Sequence, residues 1–265
     1  MSKIKEAFAH DKAFIPFITC GDPDLETTGK IVRAMQENGA DLIELGIPFS
    51  DPTAEGPVIL EADRRALEAG ITTDAIFDFV RTLQPDITVP LVFMTYANVV
   101  YSYGIERFAA RCAAVGVDGL ILPDVPFEEK SAFAPAFRSR GLDFISMVAP
   151  TSNERVARIA RQAEGFLYIV SSLGVTGVRG EISTDVAAIV RQVRENTDIP
   201  CAVGFGIAAP EQAAAMAAVS DGVIVGSAIV RLAAQYGKNA APEIGAYVRS
   251  MSAAAKAQPS DILEG

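Results

Sequence analysis

The chain has 265 residues, half of them apolar, and a formal net charge of −10, so it can build one large core but lacks the basic surface that nucleic acids and anionic membranes require. Its cysteines, Cys20, Cys112 and Cys201, are odd in number and far apart, which disfavours a disulfide framework and a metal site. Residues 1–20 lack the apolar run of a signal peptide, and no later segment is long and apolar enough to cross a bilayer, so we expect a cytoplasmic protein.

Short apolar segments recur along the chain and alternate with segments of helical periodicity. Eight of them are predicted as strands: residues 13–19, 41–45, 89–95, 118–123, 143–148, 165–170, 200–205 and 221–226. Near-continuous apolar strands that alternate with helices are typical of a parallel sheet covered by helices. Eight such units in a chain of this length match an α/β fold of the closed (β/α)8 type, the TIM barrel, preceded here by an extra N-terminal helix.

The interval between the second and third strands is unusually long, and its two helix-period segments predict an inserted helix. A doubly wound sheet is the structural alternative. It would normally carry phosphate-binding glycines after the first strand, and the segment TCGDPD at 19–24 lacks that pattern. We therefore predict a single barrel domain over residues 1–265, with the residues after about 255 as a frayed tail.

Glu44 stands inside the apolar run LIELGIPF, which reads as a buried strand ending at this carboxylate. A buried carboxylate must be paired, neutralised or used in chemistry, because desolvation disfavours its charged form. In a barrel enzyme the carboxyl ends of the strands carry the active site, so Glu44 is predicted at the catalytic rim.

Glu55 follows eleven residues later, beyond two prolines that stiffen the connection. The loop can fold Glu55 back over the barrel mouth, and two carboxyl groups in different environments suit an acid and a base that act together. The alternative is that Glu44 is a satisfied core acid and Glu55 a carboxylate favoured by a helix start. These features alone leave both interpretations open.

Glycines follow the last three predicted strands. They are Gly174, Gly177 and Gly180 in the sixth loop, Gly204 and Gly206 in the seventh, and Gly226, followed by Ser227, in the eighth. Exposed backbone N–H groups near helix starts bind phosphate without a basic pocket. Glycines also simply permit tight turns, but their position at these three rims favours phosphate binding.

A flexible segment around Thr176 is suited to be a lid whose hydroxyl reaches the mouth, although ordinary loop duty explains it equally well. Aromatic residues at or near strand ends are suited to enclose an apolar ring, although each alone is more often part of a core. They are Phe17, Tyr96, Tyr168 and Phe205. A phosphate grip, an apolar slot and two acids together describe a sugar phosphate attached to a hydrophobic group.

Between about residues 10 and 235 the chain resembles the tryptophan synthase alpha subunit family. The resemblance is carried by LIELGIPFSDPTAEGP at 42–57, FITCGDPD at 17–24, MTYANVV at 94–100, LPDVPFEE at 122–129, SSLGVTGVRG at 171–180, VGFGI at 203–207 and GVIVGSAIV at 222–230. It implies reverse aldol cleavage of indole-3-glycerol phosphate to indole and glyceraldehyde 3-phosphate, with no metal or organic cofactor in this subunit.

The resemblance also implies roles for individual residues. Glu44 would protonate the indole carbon that bears the side chain and then help to deprotonate the glycerol hydroxyl, while Glu55 would interact with the indole N–H and Thr176 would orient Glu55. The phosphate would be bound by Gly177, Gly206, Gly226 and Ser227, and the indole by Phe17, Tyr168 and Phe205. A pyridoxal-phosphate beta subunit, in an alpha2beta2 tetramer, would contact Asp51, Pro52, Asn98, Asp124 and Pro126.

Two residues depart from the family pattern. Glu55 stands where the family commonly has Asp, and Leu60 stands where it commonly has Gln, so the loop must adjust to an extra methylene and a lost amide. These departures leave open a non-catalytic subunit that only regulates its beta partner. A sugar-phosphate isomerase on the same barrel is a further hypothesis, since it would also use paired acids and a phosphate grip. The lack of His near the carboxyl end of a predicted strand counts against the isomerase.

Overall fold

Eight parallel strands close a barrel in chain order within the part of the chain that the computed structural model describes. That part comprises residues 3–150, 153–170, 179–204 and 206–257, with the backbone alone over 179–185. The strands are β1 Ala13–Thr19, β2 Ile43–Gly46, β3 Leu91–Met94, β4 Gly119–Ile121, β5 Asp143–Val148, β6 Leu167–Val170, β7 Cys201–Gly204 and β8 Gly222–Val225. Closure between β1 and β8 confirms the TIM barrel and excludes the doubly wound sheet.

Helices surround the barrel between successive strands. They are α1 Lys3–Glu6, α2 Leu25–Glu37, α3 Pro57–Glu68, α4 Thr73–Leu83, α5 Ala97–Tyr103, α6 Ile105–Ala114, α7 Ala134–Arg138, α8 Asn153–Ala160, α9 Arg179–Arg194, α10 Pro210–Ala217, α11 Ser227–Tyr236 and α12 Ala240–Lys256, with 3-10 helices at Phe127–Ala132 and Gly237–Asn239. None of these helices is long and apolar enough to span a bilayer.

The helix starts follow from local sequence. The Asp24 carboxylate accepts the Thr27 N–H at 2.7 Å before α2, and the Thr72 hydroxyl accepts the Ala75 N–H at 3.2 Å before α4. Pro57 begins α3, where its missing N–H costs nothing. Both α3 and α4 lie between β2 and β3, so the predicted inserted helix is confirmed.

The amino end of the barrel is plugged by the N-terminal segment. Ile4 of α1 is fully buried in one cluster with residues from the strand starts, including Ala13 and Phe166. A Cβ atom on Gly119 would lie 2.9 Å from Ile4 Cδ1, and one on Gly222 would lie 3.0 Å from Phe8 Cε1. Glycine at these strand starts therefore makes room for the plug, and the described barrel is closed at this end.

The strand ends differ from the prediction around Glu44. Residues 41–45 were expected as the strand, whereas β2 spans Ile43–Gly46, so Glu44 lies two residues before its end. The ladder sets these bounds, because Glu44 pairs with Phe17 of β1 and Val92 of β3. This register places Phe17 of β1 next to Glu44 of β2 in the carboxyl half of the barrel.

The single-domain prediction stays a prediction, as does the frayed tail. Helix α12 ends at Lys256, and residues 258–265 lie outside the described chain.

Candidate active site

A cavity of about 750 Å³ opens at the carboxyl ends of the strands. Most of the described residues that the sequence predicted for catalysis and substrate binding line it: Phe17, Glu44, Glu55, Tyr168, Gly206, Gly226 and Ser227. Thr176, Gly177 and Phe205 lie outside the described residues. The structure thus brings together side chains that are up to 210 residues apart (17 to 227) in one site at the rim predicted from the fold.

Glu44 is a buried acid, and no described cation offsets its loss of hydration. Its side chain is 1% exposed, and Glu44 Oε2 receives no hydrogen bond from any described residue. Burial raises the pKa of the Glu44 carboxyl to about 8, because no nearby cation or donor offsets the loss of hydration. At pH 7 the group is therefore neutral, and a neutral carboxylic acid on a cavity wall is able to donate a proton.

Glu55 is half-buried in the connection between β2 and α3, just before Gly56, the N-cap of α3. Burial raises the pKa of the Glu55 carboxyl, and the nearby Asp63 and Glu44 raise it further. Glu55 Oε2 is buried and receives no hydrogen bond from a described donor. The structure therefore places a second acid with a perturbed pKa on the same cavity, as the loop geometry predicted.

Asp63 is a third acid, which the sequence reasoning missed. It is 3% exposed on α3, and its carboxyl lies within hydrogen-bonding distance of Glu55. It also accepts the Phe49 N–H at 3.3 Å and the Thr19 hydroxyl at 3.4 Å. A signal was available, since Ala62, Asp63 and Ala66 form the buried face of α3, and an acid on an apolar helix face needs an explanation.

Tyr96 supports the loop from behind. It was predicted among the aromatic residues that could enclose a ring, yet its side chain is 1% exposed and is not part of the cavity wall. Its hydroxyl accepts the Ala54 N–H at 3.2 Å, and its ring stacks on Phe49 with centroids 5.3 Å apart. Tyr96 thus holds the backbone next to Glu55.

The apolar side of the cavity includes Phe17 and Tyr168, with Met94 and Ile224. Two glycines accommodate the rings: a Cβ on Gly46 would lie 2.6 Å from Phe17 Cζ, and one on Gly204 would lie 2.4 Å from the Tyr168 hydroxyl. These distances are shorter than any normal contact, so the ring positions depend on glycine at both strand ends.

Another part of the cavity wall consists of glycines and a helix start, where backbone amides are accessible. Gly206 has a φ of 73°, a conformation that favours glycine, and Gly226 is the N-cap of α11, which begins at Ser227. Free N–H groups at a helix start attract anions. Arg231, one turn further along α11, also lines the cavity and was not predicted; its spacing of four residues from Ser227 was the available signal. Among the described residues, no group of His, Cys, Asp and Glu could hold a metal ion.

The predicted partner residues follow three neighbouring strands. Asp51 and Pro52 follow β2, Asn98 follows β3, and Asp124 and Pro126 follow β4. All five are exposed or half-exposed. The Asp124 carboxylate accepts the Ala97 N–H at 3.0 Å, which ties the loop after β4 to the start of α5. The residues therefore lie along one sector of the barrel rim.

Comparisons with known proteins agree on one family. A sequence model of the tryptophan synthase alpha chain matches residues 3–257. The tryptophan synthase alpha chain of Lacticaseibacillus casei is 46% identical over 258 residues, which cover 97% of this chain and 97% of that protein. The corresponding protein of Gloeobacter violaceus is 51% identical over 233 residues, which cover 87% and 83%.

Solved structures agree with the sequences. The tryptophan synthase subunit alpha of Legionella pneumophila superposes with a TM-score of 0.87 at 37% identity, covering 96% of this chain and 98% of that one. A chain of Mycobacterium tuberculosis tryptophan synthase gives a TM-score of 0.87 at 33% identity, covering 97% and 99%. The fold of this chain is therefore similar to that of both proteins over nearly their whole lengths.

Proposed function

The chain belongs to the tryptophan synthase alpha chain family, a lyase subunit of tryptophan biosynthesis, and on that premise we propose that its barrel-mouth cavity cleaves indole-3-glycerol phosphate with Glu44 and Glu55 as the acting acids. One observation carries the proposal. Glu44 is a neutral acid at the wall of a cavity that has an apolar side for a ring and an amide-lined side for a phosphate. A carbon–carbon cleavage without an electron-sink cofactor requires such a positioned proton donor.

Glu44 serves two successive steps. Its neutral carboxyl donates a proton to the indole carbon that bears the side chain, which makes the ring an electron acceptor. The carboxylate that remains is buried and strongly basic for a glutamate, so it takes part in removing the proton of the glycerol hydroxyl next to the ring. The carbon–carbon bond then breaks, its electrons return to the ring, and indole and glyceraldehyde 3-phosphate result.

Glu55 acts on the ring nitrogen. Positive charge develops there when the ring is protonated, and a carboxylate that accepts the indole N–H stabilises that charge. Glu55 is one methylene longer than the Asp common in the family. Tyr96 and Asp63 hold the backbone of its loop, at Ala54 and at Phe49, which fixes where the longer side chain begins. The role proposed for Thr176, which lies outside the described residues, is to orient Glu55.

The remaining contacts position the substrate. The N–H groups of Gly177, Gly206, Gly226 and Ser227 bind the phosphate, and the Ser227 hydroxyl and the Arg231 guanidinium add to them. Phe17, Tyr168 and Phe205 enclose the indole. An acidic chain thus holds an anionic substrate through local dipoles at the mouth rather than through its overall field.

The family implies a beta partner. We propose an alpha2beta2 tetramer in which the rim residues Asp51, Pro52, Asn98, Asp124 and Pro126 face the beta subunit. The alpha subunit binds no cofactor of its own, the beta subunit carries pyridoxal phosphate, and the indole passes to it for tryptophan synthesis. The cytoplasm is the proposed compartment. Partner binding activates the alpha subunit if it favours the closed loops.

The test supplies purified protein with indole-3-glycerol phosphate, with and without a beta subunit, and measures indole. We expect slow release alone and faster release with beta. Glu44→Gln should lower kcat by about 10²-fold to 10⁴-fold, because the amide N–H is far too weak an acid to transfer a proton to the ring, and should leave substrate binding nearly unchanged. Glu61→Gln, an exposed acid on α3, is the matched control and should keep parental activity.

The outcomes separate the alternatives. A protein that accelerates the beta subunit yet releases no indole would be a regulatory subunit. Turnover of a phosphorylated isomerase substrate would indicate the isomerase. If Glu44→Gln kept its activity within a few-fold of the parent, Glu44 would be a structural acid.

A further inference from the structure

Glu55 and Asp63 form a pair of carboxyl groups beneath the loop that follows β2. The two carboxyls lie within hydrogen-bonding distance of each other, one at the cavity wall and the other on the buried face of α3. Their contact closes the loop against α3. It joins the second acting acid to Asp63, a residue that so far has only the role of holding the loop.

No cation neutralises this pair among the described side chains. Arg65, two residues after Asp63, has its guanidinium engaged by the Asp22 carboxylate at 2.7 Å and 2.9 Å. The other titratable groups that face the pair are Glu44, Asp22, Tyr96 and Cys20, none of which is positively charged. Two buried carboxyls in contact without a cation cannot both ionise, so they share one proton near neutral pH.

The hydrogen bonds around the pair place this proton on Glu55. Asp63 accepts from the Phe49 N–H and the Thr19 hydroxyl, and donors of this kind stabilise its ionised form. Glu55 Oε2 has no described donor, and the only side chain whose hydrogen bond lowers the pKa of Glu55 is Tyr96, so Glu55 has one stabilising donor where Asp63 has two. Burial raises the pKa of both groups, but the shared hydrogen bond lowers the pKa of Asp63 and raises that of Glu55.

A neutral Glu55 is unsuited to its proposed task, because a carboxylic acid does not stabilise a cationic ring nitrogen as a carboxylate does. We propose that Asp63 is a positioning residue that accepts the proton of Glu55 when the indole N–H of the substrate reaches Glu55, so that Glu55 presents a carboxylate to the ring. The O–H bond at Glu55 breaks as the O–H bond at Asp63 forms. The pair keeps one proton and one negative charge throughout, and no other reactant takes part.

This inference rests on the proposed role of Glu55 at the indole nitrogen. It adds a chemical role to the hydrogen bonds that Asp63 accepts from the Phe49 N–H and the Thr19 hydroxyl. In the free protein Asp63 is then the ionised member of the pair, and Glu55 becomes the ionised member when a ring with an N–H group binds.

The test is infrared difference spectroscopy of carboxyl C=O stretches in the full chain at pH 7, alone and with the beta subunit. The probe ligand is an indole with a three-carbon alkyl phosphate at its C3 atom and no hydroxyl, so that it binds without cleavage; phosphorus-31 NMR verifies binding. Side-chain carbon-13 labels distinguish Glu from Asp bands, and Glu55→Gln and Asp63→Asn assign them.

We expect a protonated Glu55 band in the free protein. On ligand binding this band should disappear and a protonated Asp63 band should replace it. In Asp63→Asn the Glu55 band should titrate at lower pH than in the parent, by about one unit or more, because the second negative charge is gone. Asp118→Asn, which removes a half-buried acid at the other end of the barrel, is the matched control and should leave the Glu55 titration unchanged.

A Glu55 band that persists with ligand bound, or that disappears with no Asp63 band, would overturn the proposal. So would a Glu55 titration that Asp63→Asn does not move. The labelled parent alone decides the question if Asp63→Asn does not fold. The indole assay is separate: a parent that binds no probe and releases no indole contradicts the proposed function, whereas indole release without the exchange of bands contradicts only the role of Asp63.

Discussion

At the residue scale, burial makes ionisation of Glu44 costly to the stability of the fold, and the same burial keeps the carboxyl protonated for catalysis. An unfolded chain leaves this carboxyl near its ordinary pKa, whereas the fold raises that pKa to about 8. The native state therefore binds more protons than the unfolded state between these two values. The contribution of Glu44 to stability is fully present below the unfolded pKa and is lost as the pH rises through the folded pKa.

Glu44→Gln removes this pH dependence, since the amide does not titrate. The free energy of unfolding of the variant should rise relative to the parent by roughly 3 kcal/mol between pH 5 and pH 8. Denaturant unfolding at several pH values measures it, with Glu61→Gln as the exposed control. A constant difference between variant and parent across this range would show that Glu44 does not titrate with a raised pKa.

Asp63 and Tyr96 show why the candidate site was only partly predictable at this scale. Glu44 and Glu55 were identified because each stands in an unusual local sequence. Asp63 meets Thr19, which is 44 residues away, and Tyr96 meets Ala54 across 42 residues. Such contacts arise only when the barrel closes, so local patterns do not reveal them. The departure at Leu60 finds no structural account beyond its exposed position on α3.

At the element scale, strand existence and order were predictable, and strand ends were not. Apolar runs bounded by turn residues identify all eight strands, but the ladder with two neighbours decides where each one stops. Segment 118–123 was predicted as a strand and only Gly119–Ile121 forms it, because Leu122 and Pro123 already belong to the rim. The glycines at the carboxyl ends of β2 and β7 were the more precise signal.

Gly46→Ala tests that signal. Its Cβ would lie 2.6 Å from Phe17 Cζ and 2.8 Å from Phe17 Cε2, so the ring must move into the cavity. We expect a loss of about 1–3 kcal/mol in the free energy of unfolding and a higher KM for the substrate. Gly56→Ala is the control, since nothing lies within 4 Å of its Cβ; alanine is a poorer N-cap than glycine, so this change should cost no more than about 1 kcal/mol. Equal stability of the two variants would contradict the tight fit at Phe17.

At the scale of the whole molecule, the loops after β2, β3 and β4 form one exposed sector of the rim. Tyr101 of α5 lies in this sector, one turn from Asn98, and is 72% exposed, more than any other large apolar or aromatic residue described. Exposed tyrosines of this kind are enriched among the residues that anchor interfaces. The sector therefore offers a partner an aromatic side chain as well as the polar residues predicted from sequence.

Tyr101→Ser should weaken binding of the beta subunit by about tenfold or more, since it removes an aromatic anchor, while the isolated fold stays intact. Titration of beta with alpha, followed by indole release and by direct binding, measures the change. Tyr236→Ser on α11, after β8, is the control and should bind beta as the parent does. Undiminished affinity of Tyr101→Ser would place the interface elsewhere on the rim.

The N-terminal segment closes the amino end of the described barrel, so among the described residues the cavity opens at the carboxyl ends of the strands. The proposed substrate and both proposed products, an aldehyde phosphate and a free ring, would then share this entrance. A beta subunit bound at this entrance would control the exit of both products. If it receives the indole directly, the glyceraldehyde 3-phosphate needs a separate path to solvent. Passage of substrate and products through a shared entrance, and not bond breaking alone, would then couple the turnover of the two subunits.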